Sequence, residues 1–237
     1  MDRVKRFLAN SSLSSSLSRT PTNTKQNIPQ NAPFPLPPPR PAYSAEPPRI
    51  LIIGAGSRGT SCARAIMASS NGFVAAVAEP VASKRKHLGQ NYIWGIDEPS
   101  PGMEFDGWEQ FVAWEVERRG RKAKGEQVPQ GVDGVLVCTL DETHADIIAG
   151  LAPLNLHLLC EKPLATTLDD CLRICASLSC NDQPALFAIG HVMRYAPHNV
   201  LLRKLLLEDE AIGDIVSVQH TEPVGWWHFA HSYVRYA

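Results

Sequence analysis

The segment that most restricts this chain is Ile50-Leu51-Ile52-Ile53 followed at once by Gly54-Ala55-Gly56-Ser57-Arg58-Gly59. A short apolar run rich in β-branched residues predicts a strand buried on both faces. Residues 60–69 carry Cys62, Ala63, Ile66 and Met67 at helical spacing. Residues 73–78 read as a second strand, closed by Glu79-Pro80. Strand, glycine turn, helix, strand and acid is the order of a dinucleotide-binding βαβ unit.

Each residue of that pattern has a chemical reason. Gly54 permits a tight turn out of the strand. Gly56 lets a pyrophosphate approach the backbone, beside Ser57 and Arg58. Gly59 lets helix and strand pack closely, while the helix N-terminus offers unpaired N–H groups to an anion. Glu79 lies 20 residues after Gly59, where its carboxylate would accept hydrogen bonds from ribose hydroxyls and repel a 2′-phosphate. That favours NAD over NADP. The run Ser83-Lys84-Arg85-Lys86 points the other way if its loop folds back toward the ribose. Methyltransferases that use S-adenosylmethionine share this βαβ logic and remain the competing reading.

The alternation continues downstream. Residues 107–119 set Trp108, Phe111, Val112 and Val116 at helical spacing, and residues 118–130 read as a basic, solvated loop. Strands are expected at 132–138, 156–160 and 185–189, and helices at 143–151 and 168–178. The fold class is therefore α/β, a Rossmann-type doubly wound parallel sheet with both faces covered by helices, spanning residues 49–190.

Composition bounds the rest. The chain has 237 residues and a net charge of −1, so nothing global points to nucleic acid or an anionic membrane surface. No apolar run approaches the length of a membrane-spanning helix. Residues 1–49 hold seven Lys/Arg against two acids, and ten of the 19 prolines lie in this stretch. Residues 1–48 are read as a disordered Pro/Ser-rich tail, too apolar-poor to offset its backbone entropy. A basic, Ser-rich N-terminus also suits mitochondrial targeting, set against a cytoplasmic location. The six cysteines form no CxxC pair and have no His at zinc-finger spacing, so they read as structural thiols in a reducing compartment, with no metal site.

Cys160-Glu161-Lys162-Pro163 lies at the carboxyl end of a later strand, where open α/β sheets bind ligands. After the glycine turn, this Glu-Lys-Pro resembles the Gfo/Idh/MocA family of nicotinamide-dependent oxidoreductases. The stretch from Val137 through Thr139 to His144 resembles the family's strand-end turn beside the cofactor. Residues 190–197, with Arg194 and Tyr195, look like the entry into its second domain. Residues 213–234 look like the first strand and loop of that domain, with Trp226-Trp227-His228 as a buried aromatic wall.

The resemblance implies hydride transfer between NAD(P) and a sugar- or polyol-like substrate. It makes Lys162 the catalytic residue, a cation able to stabilise developing alkoxide charge. It sets Thr139, His144, Glu161 and Pro163 beside the cofactor, and Arg194 and Tyr195 toward the substrate. It implies an α+β second domain, of which residues 191–237 would be only the start, and pairing of copies through that domain's sheet. An incomplete substrate half also leaves open a dinucleotide-binding module without catalysis.

Overall fold

The computed structural model describes residues 46–69, 72–179 and 185–230. The expected tail, apart from its last three residues, lies outside them.

Six strands form one sheet in the order β3-β2-β1-β4-β5-β6, every neighbouring pair parallel. They are β1 (Arg49–Ile53), β2 (Phe73–Ala78), β3 (Glu104–Phe105), β4 (Gly134–Val137), β5 (His157–Cys160) and β6 (Phe187–Ile189). The helices are α1 (Ser57–Ser69), α2 (Ala82–Tyr92), α3 (Trp108–Ala123), α4 (His144–Leu151), α5 (Leu168–Leu178), α6 (Pro197–Arg203) and the single turn α7 (Trp226–Phe229). Strand order runs outward in both directions from the β1–β4 pair. Such a reversal opens a crevice at the strands' carboxyl ends, where α/β sheets bind ligands.

Side chains of β1 point alternately to two cores. Leu51 and Ile53 join Val135, Val137, Phe111, Ile148 and Ile174 under α3, α4 and α5. Ile52 joins Val74, Val77, Leu136, Ala63 and Leu88 under α1 and α2. Burial on both faces is why β1 and β4 read as unbroken apolar runs rather than alternating ones. Over β5 the α1 side is open: His157 and Leu159 are exposed, and a groove of about 320 Å³ lies beside them, lined also by Ile50, Ile66 and Leu186.

Two sequence expectations need correction. The stretch 118–130 does not begin as a solvated loop, because α3 continues to Ala123. Glu115, fully buried, accepts from Arg118 and Arg119 at 2.7 Å each, and Arg119 also donates to the Leu154 carbonyl at 2.8 Å. Those pairs hold Arg118 and Arg119 against the body of the protein, while residues 121–127 are exposed. Residues 213–225 form no strand. A lone segment has no neighbour to complete its backbone hydrogen bonds. Trp226 and Trp227, expected to be buried, are 76% and 80% exposed. Among the described residues no helix is long and apolar enough to cross a membrane, and no cluster of His, Cys, Asp or Glu could hold a metal ion.

Candidate functional site

The glycine turn leaves β1 with Gly54 at φ +94°, a conformation that L side chains rarely adopt. A Cβ there would also meet the Cys138 carbonyl oxygen at 2.6 Å. Gly59 is equally confined, since a Cβ would land on the Gly54 carbonyl. Gly56 is the opposite case: a Cβ added to it meets nothing within 4 Å. The turn therefore packs tightly below and stays open above, at the N-terminus of the 13-residue helix α1. Open space, free helix N–H groups and a positive helix end suit a diphosphate, so the residues present fit a dinucleotide.

Glu79 ends β2 and is nearly buried. Its Oε2 accepts from the Ala55 N–H at 2.8 Å and its Oε1 from the Val81 N–H at 2.9 Å. The carboxylate thus locks the glycine turn, and each oxygen keeps a second lone pair for a ribose hydroxyl. The basic run after β2 lies in helix α2, with Lys84 and Lys86 exposed. Arg85, on α2, donates to the Glu79 carbonyl at 2.6 Å and pairs with Glu104 at 3.2 Å and Asp106 at 2.7 Å.

Beyond β4, the Thr143 hydroxyl donates to the Leu140 carbonyl at 2.7 Å and shares a 2.8 Å hydrogen bond with the Thr139 hydroxyl. This closes the turn that starts α4. Beyond β5, the Glu161 N–H donates to the Val137 carbonyl at 2.9 Å, carrying the sheet's pairing into the Glu-Lys-Pro segment. Glu161 Oε1 lies 3.3 Å from Arg58 Nε. Glu161 Oε2 accepts from the Lys162 N–H at 3.3 Å. Gly190, just past β6, leaves room for that carboxylate, because a Cβ there would crowd it at 3.1 Å. Motif reading missed Gly190, whose constraint comes from a neighbour 29 positions away. The Lys162–Pro163 peptide bond is cis. Lys162 is exposed.

His144 packs beneath the Glu-Lys-Pro turn. Its ring is fully buried, and Nδ1 donates to the Pro163 carbonyl at 2.9 Å. That bond leaves Nε2 as the bare acceptor nitrogen, buried without a partner. In this conformation His144 holds the Glu-Lys-Pro turn from below and presents no surface to a ligand. Arg194 and Tyr195 lie in a 3-10 turn after β6, at the same end of the sheet, and both are exposed. Among the described residues neither bonds to the turns around Lys162.

The thiols here are unequal. A hydrogen bond from Cys138 holds Cys62 down to about 7, against burial and Glu161 and with help from Arg58. Cys138 is pushed up by the same bond and by burial. Burial, then Glu161 and Asp141, push Cys160 up to about 12.

Comparison with known proteins gives this arrangement a family. Residues 48–187 match the Gfo/Idh/MocA oxidoreductase family, described as having an NAD-binding Rossmann fold. The rhizopine catabolism protein MocA of Rhizobium meliloti is 30% identical over 156 residues, 65% of this chain and 41% of MocA. Inositol 2-dehydrogenase 1 of Saccharopolyspora erythraea is 38% identical over 88 residues, 37% of this chain and 26% of that protein. The crystal structure of myo-inositol 2-dehydrogenase from Lactobacillus plantarum matches with a TM-score of 0.58 at 16% identity, covering 72% of this chain and 44% of that one. The match thus spans less than half the length of each of these relatives. It sets aside the methyltransferase reading. With the glycine turn, the acid after β2 and the Glu-Lys-Pro turn gathered at one end of a parallel sheet, the chain belongs to the Gfo/Idh/MocA oxidoreductase family.

Proposed function

We propose that this chain binds NAD across the carboxyl ends of β1, β2, β4 and β5 and serves hydride transfer with a polyol or sugar-like substrate. The observation that carries the reading is the joining of the glycine turn to the Glu-Lys-Pro turn through Arg58 and Glu161, 3.3 Å apart. It sets an anion-binding helix end beside an exposed lysine. The inositol dehydrogenase relative supports the substrate class.

In this reading the diphosphate lies over Gly56 at the N-terminus of α1, with Ser57 and Arg58 at its flank. Glu79 receives the adenosine ribose, and Thr139 and Pro163 border the nicotinamide. The nicotinamide supplies the hydride-accepting ring when bound. Lys162 donates a hydrogen bond to the substrate oxygen and stabilises negative charge developing there. His144 fixes the height of the Pro163 carbonyl and so the turn that carries Lys162. Arg194 and Tyr195, on the substrate side, orient its hydroxyls. NAD is preferred to NADP because Glu79 faces that ribose and the nearby Arg85 is already engaged by Glu104, Asp106 and the Glu79 carbonyl.

Residues 49–190 act as the dinucleotide unit and residues 191–237 lead into the substrate part. The free thiols Cys62, Cys138, Cys160, Cys171 and Cys175 suit a reducing compartment such as the cytoplasm. The test is NADH binding together with NAD reduction in the presence of myo-inositol and other polyols. Lys162→Ala is expected to leave the NADH Kd within about twofold and to lower kcat by about 10²-fold or more. Binding without turnover on any polyol would leave a dinucleotide-binding module in place of an enzyme.

A further inference from the structure

We propose that Thr143 is a positioning residue for the nicotinamide half of the dinucleotide. Its hydroxyl takes the Thr139 proton, so that Thr139 meets a ligand only as a hydrogen-bond acceptor. The inference rests on the dinucleotide reading above and says which part of that molecule the turn after β4 receives. Thr139 lies two residues past β4, and the 3-10 turn Asp141–Thr143 leads from it into α4. Both threonines are half-buried. Thr139 also stands beside the glycine turn, since a Cβ on Gly54 would meet its Cγ2 at 3.2 Å.

The protons can be counted. The Leu140 carbonyl accepts the Thr143 N–H at 2.9 Å and the Thr143 hydroxyl at 2.7 Å, which occupies both of its lone pairs. A carbonyl has no proton to give, so the single Thr143 hydroxyl proton is committed there. The 2.8 Å bond between the two hydroxyls is therefore donated by Thr139. A lone threonine turns its O–H to suit either a donor or an acceptor, and this pairing removes the choice. Thr139 Oγ1 keeps lone pairs alone for a ligand. A phosphate oxygen at neutral pH also only accepts, so Thr139 turns the diphosphate away toward Gly56 and favours a group that donates. Beyond its diphosphate the nicotinamide half carries two kinds of donor, the ribose hydroxyls and the carboxamide NH2.

The test titrates the full chain and its variants with NADH, ADP-ribose and ADP, the last carrying a diphosphate and nothing beyond it. Thr139→Val and Thr143→Val are each expected to weaken NADH binding by about 3- to 10-fold and to leave the ADP Kd within about twofold. Thr143→Ser keeps the hydroxyl and should bind NADH as the parent does. The double variant should bind NADH no more weakly than Thr139→Val alone, because Thr143 acts only through Thr139. Loss of ADP-ribose in parallel with NADH assigns the donor to the ribose hydroxyls, and loss of NADH alone assigns it to the carboxamide. Equal weakening of all three ligands, additive losses in the double variant, or unchanged NADH binding by Thr143→Val would overturn the inference. A parent chain that binds neither NADH nor ADP would overturn the dinucleotide reading itself, and this inference with it.

Discussion

Arg58 in the glycine turn and Glu161 in the Glu-Lys-Pro turn face each other at 3.3 Å, bridging the ends of β1 and β5 across β4. One residue of the pair lies at the N-terminal end of α1 and the other adjoins Lys162, the lysine proposed for the chemistry. Their side chains are 50% and 14% exposed, so water screens the attraction and the pair contributes no more than about 1 kcal/mol to stability.

Removing the cation should therefore separate binding from folding. Arg58→Ala is expected to leave the Tm within a few degrees of the parent while weakening NADH binding by roughly 3- to 10-fold, the scale of one exposed charge-assisted contact. Titration of NADH fluorescence beside a melting curve checks both halves of this expectation.

Glu115 makes a different demand. Burial pushes its carboxyl up, but the hydrogen bonds from Arg118 and Arg119 outweigh that and hold it below the ordinary carboxylate range. A carboxyl with a depressed folded-state pKa stabilises fully above its unfolded pKa. That stabilisation disappears as pH falls through the folded value. Glu115→Gln should lower stability at pH 7 by about 2 kcal/mol or more, because Arg118 loses its charged partner while mostly buried. Denaturant titrations from pH 7 down to pH 3 should show the variant losing less on acidification than the parent. Parallel acid limbs would contradict the assignment.

Cofactor preference follows from the end of β2. With Arg85 committed to Glu104, Asp106 and the Glu79 carbonyl, an extra phosphate would find that arginine already neutralised and Glu79 facing it. NADH is expected to bind at least about tenfold more tightly than NADPH, a difference of about 1.4 kcal/mol. Equal affinities, read by competition titration, would move Arg85 to the role of phosphate reader.

The βαβ core was legible because its signals are local. Buried strands with adjoining glycines, and an acid at fixed distance, are written in consecutive residues. Two elements of the same unit were not. Helix α2 reads as polar, with only Leu88 and Gly89 buried, and β3 is two residues long. Both owe their place to packing beside β2 rather than to their own periodicity. His144 was legible as a residue near the site but not in its orientation, which depends on the Pro163 carbonyl 19 residues away. The Glu115 cluster was invisible for the same reason, since a mid-helix glutamate ordinarily faces solvent. Gly190 owes its place to the Glu161 carboxylate on another strand's end, and no spacing rule announces it.

The central claim is that a dinucleotide diphosphate lies against Gly56, and one paired measurement tests it most directly. NADH affinity and melting temperature are compared for the parent chain, Gly56→Val and Gly59→Ala. Nothing lies within 4 Å of a Cβ at Gly56, whereas one at Gly59 runs into the Gly54 carbonyl. Gly56→Val is therefore expected to melt close to the parent and to lose NADH binding by at least about 10²-fold, while Gly59→Ala loses stability by about 2 kcal/mol or more. A Gly56→Val chain that folds and binds NADH as tightly as the parent would contradict the account.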